Sequence, residues 1–360
     1  MTTIVLQNAT IQAVIPRHLF ASLLVLAGIS ASAQKVPVPE LAQRSAELTN
    51  LTAPGGSPFH LKATIAIPEL TKSTGTLEEY WVSPTKWRTT IQIPRFSQTV
   101  IVNGDDRYEK NDGEYFPVGM QTIAQALVQP IPDWLMDGLK QSKVKLDLYG
   151  GKLAKTNICD GDLEKIGAGH AQNQIYVEVC FSGEKQSIST MRYPFYDVSL
   201  EDRQAFGSYY VARHIKVGEN GGTKWEATVD DLSQIKEVDE SLFKLPEVTP
   251  KEKQFKLLEL SEDQFREHFR KLPEVTFPDT PKPISGAITL LISIDKDGYV
   301  AEAWPSNDAY PDIAKSVREQ VETWGTDKND TSFVQIETWL TFAFKTHAAS
   351  THPAANPPTP

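Results

Sequence analysis

Residues able to do chemistry are few and scattered in this chain. Seven histidines occur in 360 residues, and none falls into an HExxH zinc-binding pattern; GxSxG nucleophile turns and GxxxxGK[ST] phosphate loops do not occur either. His347 and His352 stand in the C-terminal tail, His268 falls opposite the apolar stripe of its segment, and His214 in VARHIKV reads as a strand residue satisfied by its neighbours. The adjacent acids Asp105-Asp106 and Asp230-Asp231 either occupy a turn or point to opposite faces of a strand, so neither pair can serve as an acid–base couple. DKDG at 295–298 has the acidic opening of a calcium loop, but position twelve counted from Asp295 is Ser306 where a bidentate Glu is needed, and a hairpin turn is the stronger reading. The pattern favours binding over catalysis, with no catalytic residue, metal ligand or cofactor expected.

Only two cysteines are present, Cys159 and Cys180, 21 positions apart. Neither lies in a CxxC or within ligand spacing of a histidine, which argues against metal. Their reading depends on residues 17–33, RHLFASLLVLAGISASA, where a cation precedes an 11-residue apolar stretch and Ala31-Ser32-Ala33 supplies a small-x-small cleavage site. Residues 1–33 are expected to be a cleaved signal peptide; an uncleaved membrane anchor and a buried core helix are the alternatives. Gln34 stands where a lipid-modified protein would carry Cys. An oxidising compartment lets the two cysteines pair, closing a loop worth about 3 kcal/mol on the chain-entropy estimate; two free buried thiols are the other reading.

Charge narrows the partners. Lys plus Arg total 36 against 46 Asp plus Glu, a formal net charge of −10, which opposes non-specific nucleic-acid binding and adhesion to anionic lipid. Hydrophobic residues make up 40% and charged residues 23%, the balance of a folded, water-soluble chain, and the length suits two or three domains.

The elements that must position any site fall into two groups. From 57 to 248 the dominant period is two: FHLKATIAI places Phe59, Leu61, Ala63, Ile65 and Ile67 on one face, and GTLEEYWVSP, KWRTTIQIP and QTVIVNG follow as short alternating runs ended by Pro or Asn-Gly. The period breaks at 120–128 and 132–140, which read as short helices, and strands then resume to TKWEATVDDL. A further segment or helix is expected over 34–56.

The residues Trp81, Pro84, Lys86, Trp87, Arg88, Asn103 and Gly104, followed by helices and then VARHIKV and TKWEATVDDLSQI, resemble the LolA/LolB lipoprotein-carrier superfamily. That resemblance implies a half-open antiparallel β-barrel, lidded by helices, whose cavity holds acyl chains. Trp81, Trp87, Arg88, Tyr80 and Tyr115 are the residues expected to line it, with core filling by the same aromatics as the competing reading.

Residues 249–283 are dense in Pro and charge and read as a linker with one helix, in which Ser261 and Gln264 form a capping box and Phe265, Phe269 and Leu272 share a stripe. GAITLLISI, the DKDG turn, YVAEAW, a helix with Ile313, Val317, Val321 and Trp324 on one face, and FVQIETWLTFAFK give a β-β-α-β unit over 284–345. A disordered tail is expected over 346–360. Ile294, Asp295, Gly298, Val300, Ala303, Ala314, Val321, Trp324, Phe342 and Phe344 resemble the TonB C-terminal domain family, although GTDKNDTS replaces the family's usual continuation after Trp324. The resemblance implies a module whose strand edge, here Trp339, Thr341, Phe342, Ala343 and Phe344, pairs with an extended segment of an envelope protein.

The sequence thus leads to an α+β protein, an antiparallel open β-barrel with lid helices followed by a small β-β-α-β domain. It is expected to be periplasmic and non-enzymatic, binding a lipid or lipidated protein in the barrel and an envelope protein by β-strand addition. The alternative is a TonB-type energy-transduction component held in the inner membrane by an uncleaved N-terminal segment.

Overall fold

The computed structural model describes residues 34–68, 73–140, 145–149, 152–153, 157–160, 177–182, 187–219, 222–246, 256–269, 272–306, 310–325 and 334–348; the expected signal peptide lies outside them. No helix among the described residues is long and apolar enough to cross a membrane.

After β1 (Gln34–Pro37) and α1 (Val38–Thr49), five strands form a meander: β2 (Phe59–Ala66), β3 (Thr74–Ser83), β4 (Lys86–Ile93), β5 (Phe96–Asn103) and β6 (Asp106–Gly113). The turn from β5 to β6 needs the Asn-Gly pair, because Gly104 sits at φ +67°. Helices α2 (Val118–Val128) and α3 (Asp133–Leu139) follow, where the sequence period broke. Then come β7 (Lys145–Tyr149), β8 (Lys152–Leu153), β9 (Asn157–Asp160), β10 (Glu178–Ser182), β11 (Ile188–Arg192), β12 (Asp197–Phe206), β13 (Tyr209–Glu219) and β14 (Gly222–Gln234).

Eleven of these strands make one sheet in the order β6-β5-β4-β3-β2-β14-β13-β12-β11-β10-β9. Its two meanders meet where β14 pairs antiparallel with β2, Phe59 opposite Gln234 and Ala66 opposite Glu226. Period-two alternation sends Phe59, Leu61, Ala63 and Ile65 of β2, Leu77 and Trp81 of β3, and Trp225, Ala227 and Val229 of β14 into one core with Leu41 of α1, Met120 and Ile123 of α2 and Leu135 of α3. The helix-packed side is the inner face. Contact there is close: a Cβ on Gly119 of α2 would meet Trp225 Cδ1 at 2.1 Å.

The sheet also forks. β13 and β14 pair only from His214–Thr228 to Glu219–Gly222. Beyond that rung β13 continues along β12 as far as Tyr209, while β14 continues along β2 as far as Gln234. Irregularities mark both arms: Asp202 of β12 is skipped in the ladder at φ +44°, and β14 bulges between Val229 and Asp231. The bulge corrects the expectation for Asp230-Asp231, since both carboxylates come to the outer face. Asp230 accepts from Thr64 Oγ1 at 2.7 Å, and Asp231 lies 3.1 Å from His60 Nδ1.

The C-terminal part carries β15 (Lys256–Leu260), α4 (Glu262–His268), β16 (Ser285–Ile294), β17 (Val300–Pro305), α5 (Pro311–Val321) and β18 (Val334–Lys345), in a four-stranded sheet of order β15-β18-β16-β17. The expected β-β-α-β order and the Ser261–Gln264 capping box are present. Two readings change. The segment read as linker contributes β15, which runs parallel to β18 from Lys256–Val334 to Leu260–Thr338. The tail is not free at its start, because Thr346 is buried and accepts from Ile284 N–H at 3.0 Å, while Thr280 bridges to Ala348.

One face of this sheet packs Ile288, Leu290, Ile292, Ile294, Ile336, Leu340 and Phe344 against Ile313, Val317 and Val321 of α5. The other face turns Leu291 and Trp304 into the core of the large sheet, with Trp339 packed beside them. β16 is therefore buried on both faces from Leu290 to Ile294, and the described residues form one compact unit.

Loops over the inner face are tied by buried side chains. Asn50 Nδ2 donates to the Ile131 carbonyl at 2.8 Å and its Oδ1 accepts from Ile131 N–H at 3.2 Å. Replacing Asn50 by Leu strands both backbone groups, and urea unfolding is expected to show a loss of about 2–3 kcal/mol against wild type.

Candidate ligand-binding interior and its cover

The residues expected to line a cavity do not share a face. Trp81 lies directly opposite Trp87 across β3 and β4, and Tyr80 opposite Arg88, so alternation separates the two pairs. Trp81 is buried in the core and stacks on Phe59 at 5.6 Å between ring centroids. Trp87 packs against the same core, with the Arg107 guanidinium 5.7 Å from its ring centroid. Tyr80 is on the outer face, stacked on His60 at 4.3 Å and donating to Glu78 Oε1 at 3.0 Å. Arg88 donates to the Leu242 carbonyl at 3.4 Å, and Tyr115 belongs to the junction with the C-terminal sheet. Only the two tryptophans of the expected set face the interior. The adjacency of 80 with 81 and of 87 with 88 was the signal in the sequence that divided them.

One ionisable residue escaped the sequence reading. Glu79, between Leu77 and Trp81, turns inward from β3 and is 7% exposed. Burial pushes its carboxyl up to about 7, and a hydrogen bond with Thr89, directly opposite on β4, only partly opposes this. An acid half protonated near neutrality thus stands between the apolar side chains of Leu77 and Trp81. A sharper sequence signal was available: in TLEEYWV the alternation that buries Leu77 and Trp81 must also bury Glu79.

The interior is covered from one side by the C-terminal sheet through a polar seam at the start of α2. Pro117 caps α2 without a side-chain hydrogen bond, so the helix leaves its first amides unsatisfied. Glu302 of β17 supplies the acceptor: its Oε2 takes Val118 N–H at 3.0 Å and Trp304 Nε1–H at 3.4 Å. Gln335 of β18 brackets Phe116, accepting its N–H at 2.6 Å and donating to its carbonyl at 2.9 Å. Gln121 Nε2 donates to Glu337 Oε1 at 2.9 Å. Around this seam Trp339 packs on Phe195 and Trp304 on Tyr196, at 5.5 and 6.0 Å between centroids, and Arg318 pairs with Glu219 at 3.1 Å. Burial pushes Glu302 up to about 7, against the hydrogen bonds from Val118 and Trp304, and raises Glu337. Tyr115, raised by burial and by the nearby Glu302 carboxylate, adds no charge.

The expected strand edge changes character here. β18 lies between β15 and β16 over its first half. Farther along, the outward N–H of Thr341 is taken by Glu262 Oε2 of α4 at 3.2 Å, and the Thr341 carbonyl by Arg266 at 3.5 Å. Trp339 faces the large sheet, while Phe342 packs on Trp324 at 6.0 Å and Phe344 on Tyr310 at 5.1 Å. Among the described residues the outer strands of this sheet are β15 and β17, and Val300 N–H at the start of β17 donates to the Trp324 carbonyl at 3.1 Å. Cys159 and Cys180 stand directly opposite in β9 and β10.

Comparison with known proteins adds outlines only. No family model matches the sequence, and no curated protein is similar to it. Among solved structures, a LolA superfamily protein from Nitrosomonas europaea is similar over 58% of this chain and 98% of its own length, at 8% identity and a TM-score of 0.31. A DUF1329 family protein from Desulfovibrio piger is similar over 58% of this chain and 97% of its own, at 9% identity and a TM-score of 0.29.

The buried acids make stability depend on pH with a defined sign. A carboxyl whose folded pKa is raised leaves the folded state holding more protons than the unfolded chain between about 4.5 and about 7, so its contribution falls as pH rises through that window. Glu79→Gln removes the titration. Its stability relative to wild type is expected to rise between pH 4.5 and 8 by on the order of 3 kcal/mol, read from urea midpoints at each pH.

Proposed function

We propose that this chain is a non-enzymatic binding protein of the cell envelope that takes an acyl or comparably apolar ligand against the inner face of its large sheet. The observation that carries the reading is the construction of that interior. Among the described residues the sheet runs from β6 to β9, its inner face packs on α1–α3 and on Leu291 and Trp304 of the C-terminal sheet, and Glu79 is a carboxyl buried within that packing. Its core is closed by α2, which carries no charged residue, so sliding an apolar chain between helix and sheet exchanges one apolar contact for another. Glu79 in its neutral form donates one hydrogen bond to a ligand carbonyl without placing charge in the interior.

The C-terminal sheet is the cover of this interior in the same reading. Its barrel-facing residues Glu302, Trp304, Gln335 and Trp339 are engaged within the chain, so an external partner adding a strand would do so at β15 or β17. Location in the periplasm after removal of residues 1–33, and a disulfide between Cys159 and Cys180, complete the proposal. The facing register of the two cysteines and the burial of Cys180 support the bridge.

Native mass spectrometry of protein recovered from a periplasmic extract tests this. A co-purifying acyl species on a chain that begins at Gln34, two mass units lighter than the dithiol form, is expected. A ligand-free chain that fails to take up the fluorescent probe N-phenyl-1-naphthylamine would remove the binding reading. For the cover, Trp304→Ala is expected to cost about 3–5 kcal/mol in urea unfolding and to raise probe uptake, because the cavity it leaves opens in the large-sheet core beneath the cover.

A further inference from the structure

The two sheets meet face to face and share no strand. Among the described residues no strand of the C-terminal sheet joins the ladder of the large one. That smaller sheet also has a core of its own, packed between β16, β18 and α5. Separating the two exposes Leu291, Trp304 and Trp339 but unfolds neither. We propose that the C-terminal sheet is a lid latched by the protonated carboxyls of Glu302 and Glu337, undocking from the large sheet as one body when they lose their protons. The inference rests on the binding reading above and adds its regulation: the interior opens as pH rises.

Two observations carry this. First, the latch is polar, and its donors are neutral. Glu302 Oε2 takes Val118 N–H at 3.0 Å and Trp304 Nε1–H at 3.4 Å, while Glu337 Oε1 takes Gln121 Nε2 at 2.9 Å and Gln335 Nε2 at 3.0 Å. Among the described residues no cation stands in ion-pair contact with either acid. A carboxylate enclosed between two sheets by neutral donors is poorly compensated, whereas the neutral acid is not penalised.

Second, the surrounding charges do not supply what the donors lack. Glu302 faces Glu337 of β18 and Arg318 of α5, and α2 brings no charged residue to it. Arg318 is already drawn to Glu219 at 3.1 Å and Glu322 at 2.7 Å. Tyr115, Glu114, Arg95 and Asp295 gather on the other side of Glu302, and Lys296 beside them pairs with Asp297 at 2.7 Å. Glu337 faces Glu259 of β15 and Tyr196 of the turn between β11 and β12. Withdrawal from water accordingly lifts Glu302 to about 7 and raises Glu337.

The sign follows from proton occupancy. Between about 4.5 and about 7 the closed seam keeps a proton on Glu302 that the hydrated, open form has released. The closed form is therefore favoured at low pH and loses that advantage as pH rises through the window. Apolar contacts at Trp304 and Trp339 keep opening a minority excursion throughout, and proton loss makes it more frequent.

The test reads amide exchange in the whole chain from Gln34, without ligand, at pH 6 and pH 8, with rates corrected for the intrinsic effect of pH. Protection of the Phe116 and Val118 amides is expected to fall about tenfold, the ratio produced by one carboxyl that moves between about 4.5 and about 7. Amides of the β16–β18 ladder are expected to keep their protection, since the lid moves whole. Glu302→Gln with Glu337→Gln keeps an acceptor at both positions and removes the titration, so its protection is expected to be level. Level protection in the wild-type chain overturns the proposal, whether or not the variant folds. Parallel loss in the β16–β18 ladder also overturns it, because that is general unfolding of the kind Glu79 governs. Uptake of N-phenyl-1-naphthylamine separates this proposal from the binding reading. Uptake about tenfold faster at pH 8 than at pH 6, with no such difference in the variant, supports both. A chain that opens but takes up no probe keeps the lid and loses the binding reading; uptake indifferent to pH, with level protection, does the reverse.

Discussion

The amide of Val118 needs an acceptor, and the whole arrangement follows from where that acceptor comes from. Pro117 caps α2 without offering a side-chain oxygen, and the first turn contains no acid. A strand 184 residues later in the chain reaches across with Glu302. Negative or partly negative oxygen at a helix start is favourable, yet burial works against the charge, and the balance leaves a carboxyl poised near neutrality. Because Glu302 lies on β17, satisfying one helix end fixes the C-terminal sheet to the large one. Gln335 and Glu337 then complete the seam with Phe116 and Gln121. Every polar atom in that seam has to be satisfied at once, which makes the docking geometry unique in a way that Trp304 and Trp339 alone, as apolar contacts, would not.

The same logic of few polar groups in apolar surroundings governs the interior. Glu79 and Glu302 sit on different sheets but are perturbed by the same cause, and both respond to protons in the range where neutral carboxyl turns to carboxylate. Outer-face acids have different company. His60 stands between Glu78 and Asp231, and His214 between Glu201 and Glu226. Carboxyls are thus sparse and buried inside, and clustered around imidazoles outside.

Local features were legible in the sequence where a short-range rule sufficed. Broken alternation marked α2 and α3; the Asn103-Gly104 turn, the DKDG turn and the Ser261–Gln264 box each depend on residues within a few positions of one another. The near-continuous apolar run LLISI already encoded a strand buried on both faces, although only one face was assigned. Long-range partnerships were not legible. Nothing in KLLEL announces a parallel partner at 334–338, and nothing near Asp230 announces a bulge, because both arise from how distant strands register. For the interior, the tryptophans were found and the acid beside one of them was missed, since alternation was applied to the apolar residues alone.

The ladder between β2 and β14 joins Phe59 to Gln234, and the seam at Val118 waits for Glu302. Neither half of the molecule can therefore finish while the chain is still emerging. The first meander, β2 to β6, must persist with its end strand β2 exposed as a temporary edge until the last strand of the second meander, β14, exists. Helix α2 likewise keeps an unsatisfied start until the last quarter of the sequence arrives. Closing loops of that length is slow compared with forming hairpins, so the order of events is imposed by topology: local hairpins first, the β2–β14 closure next, the C-terminal sheet last. A chain built this way commits to its large core only once residue 234 has been made, and to its polar seam only once Glu302 has.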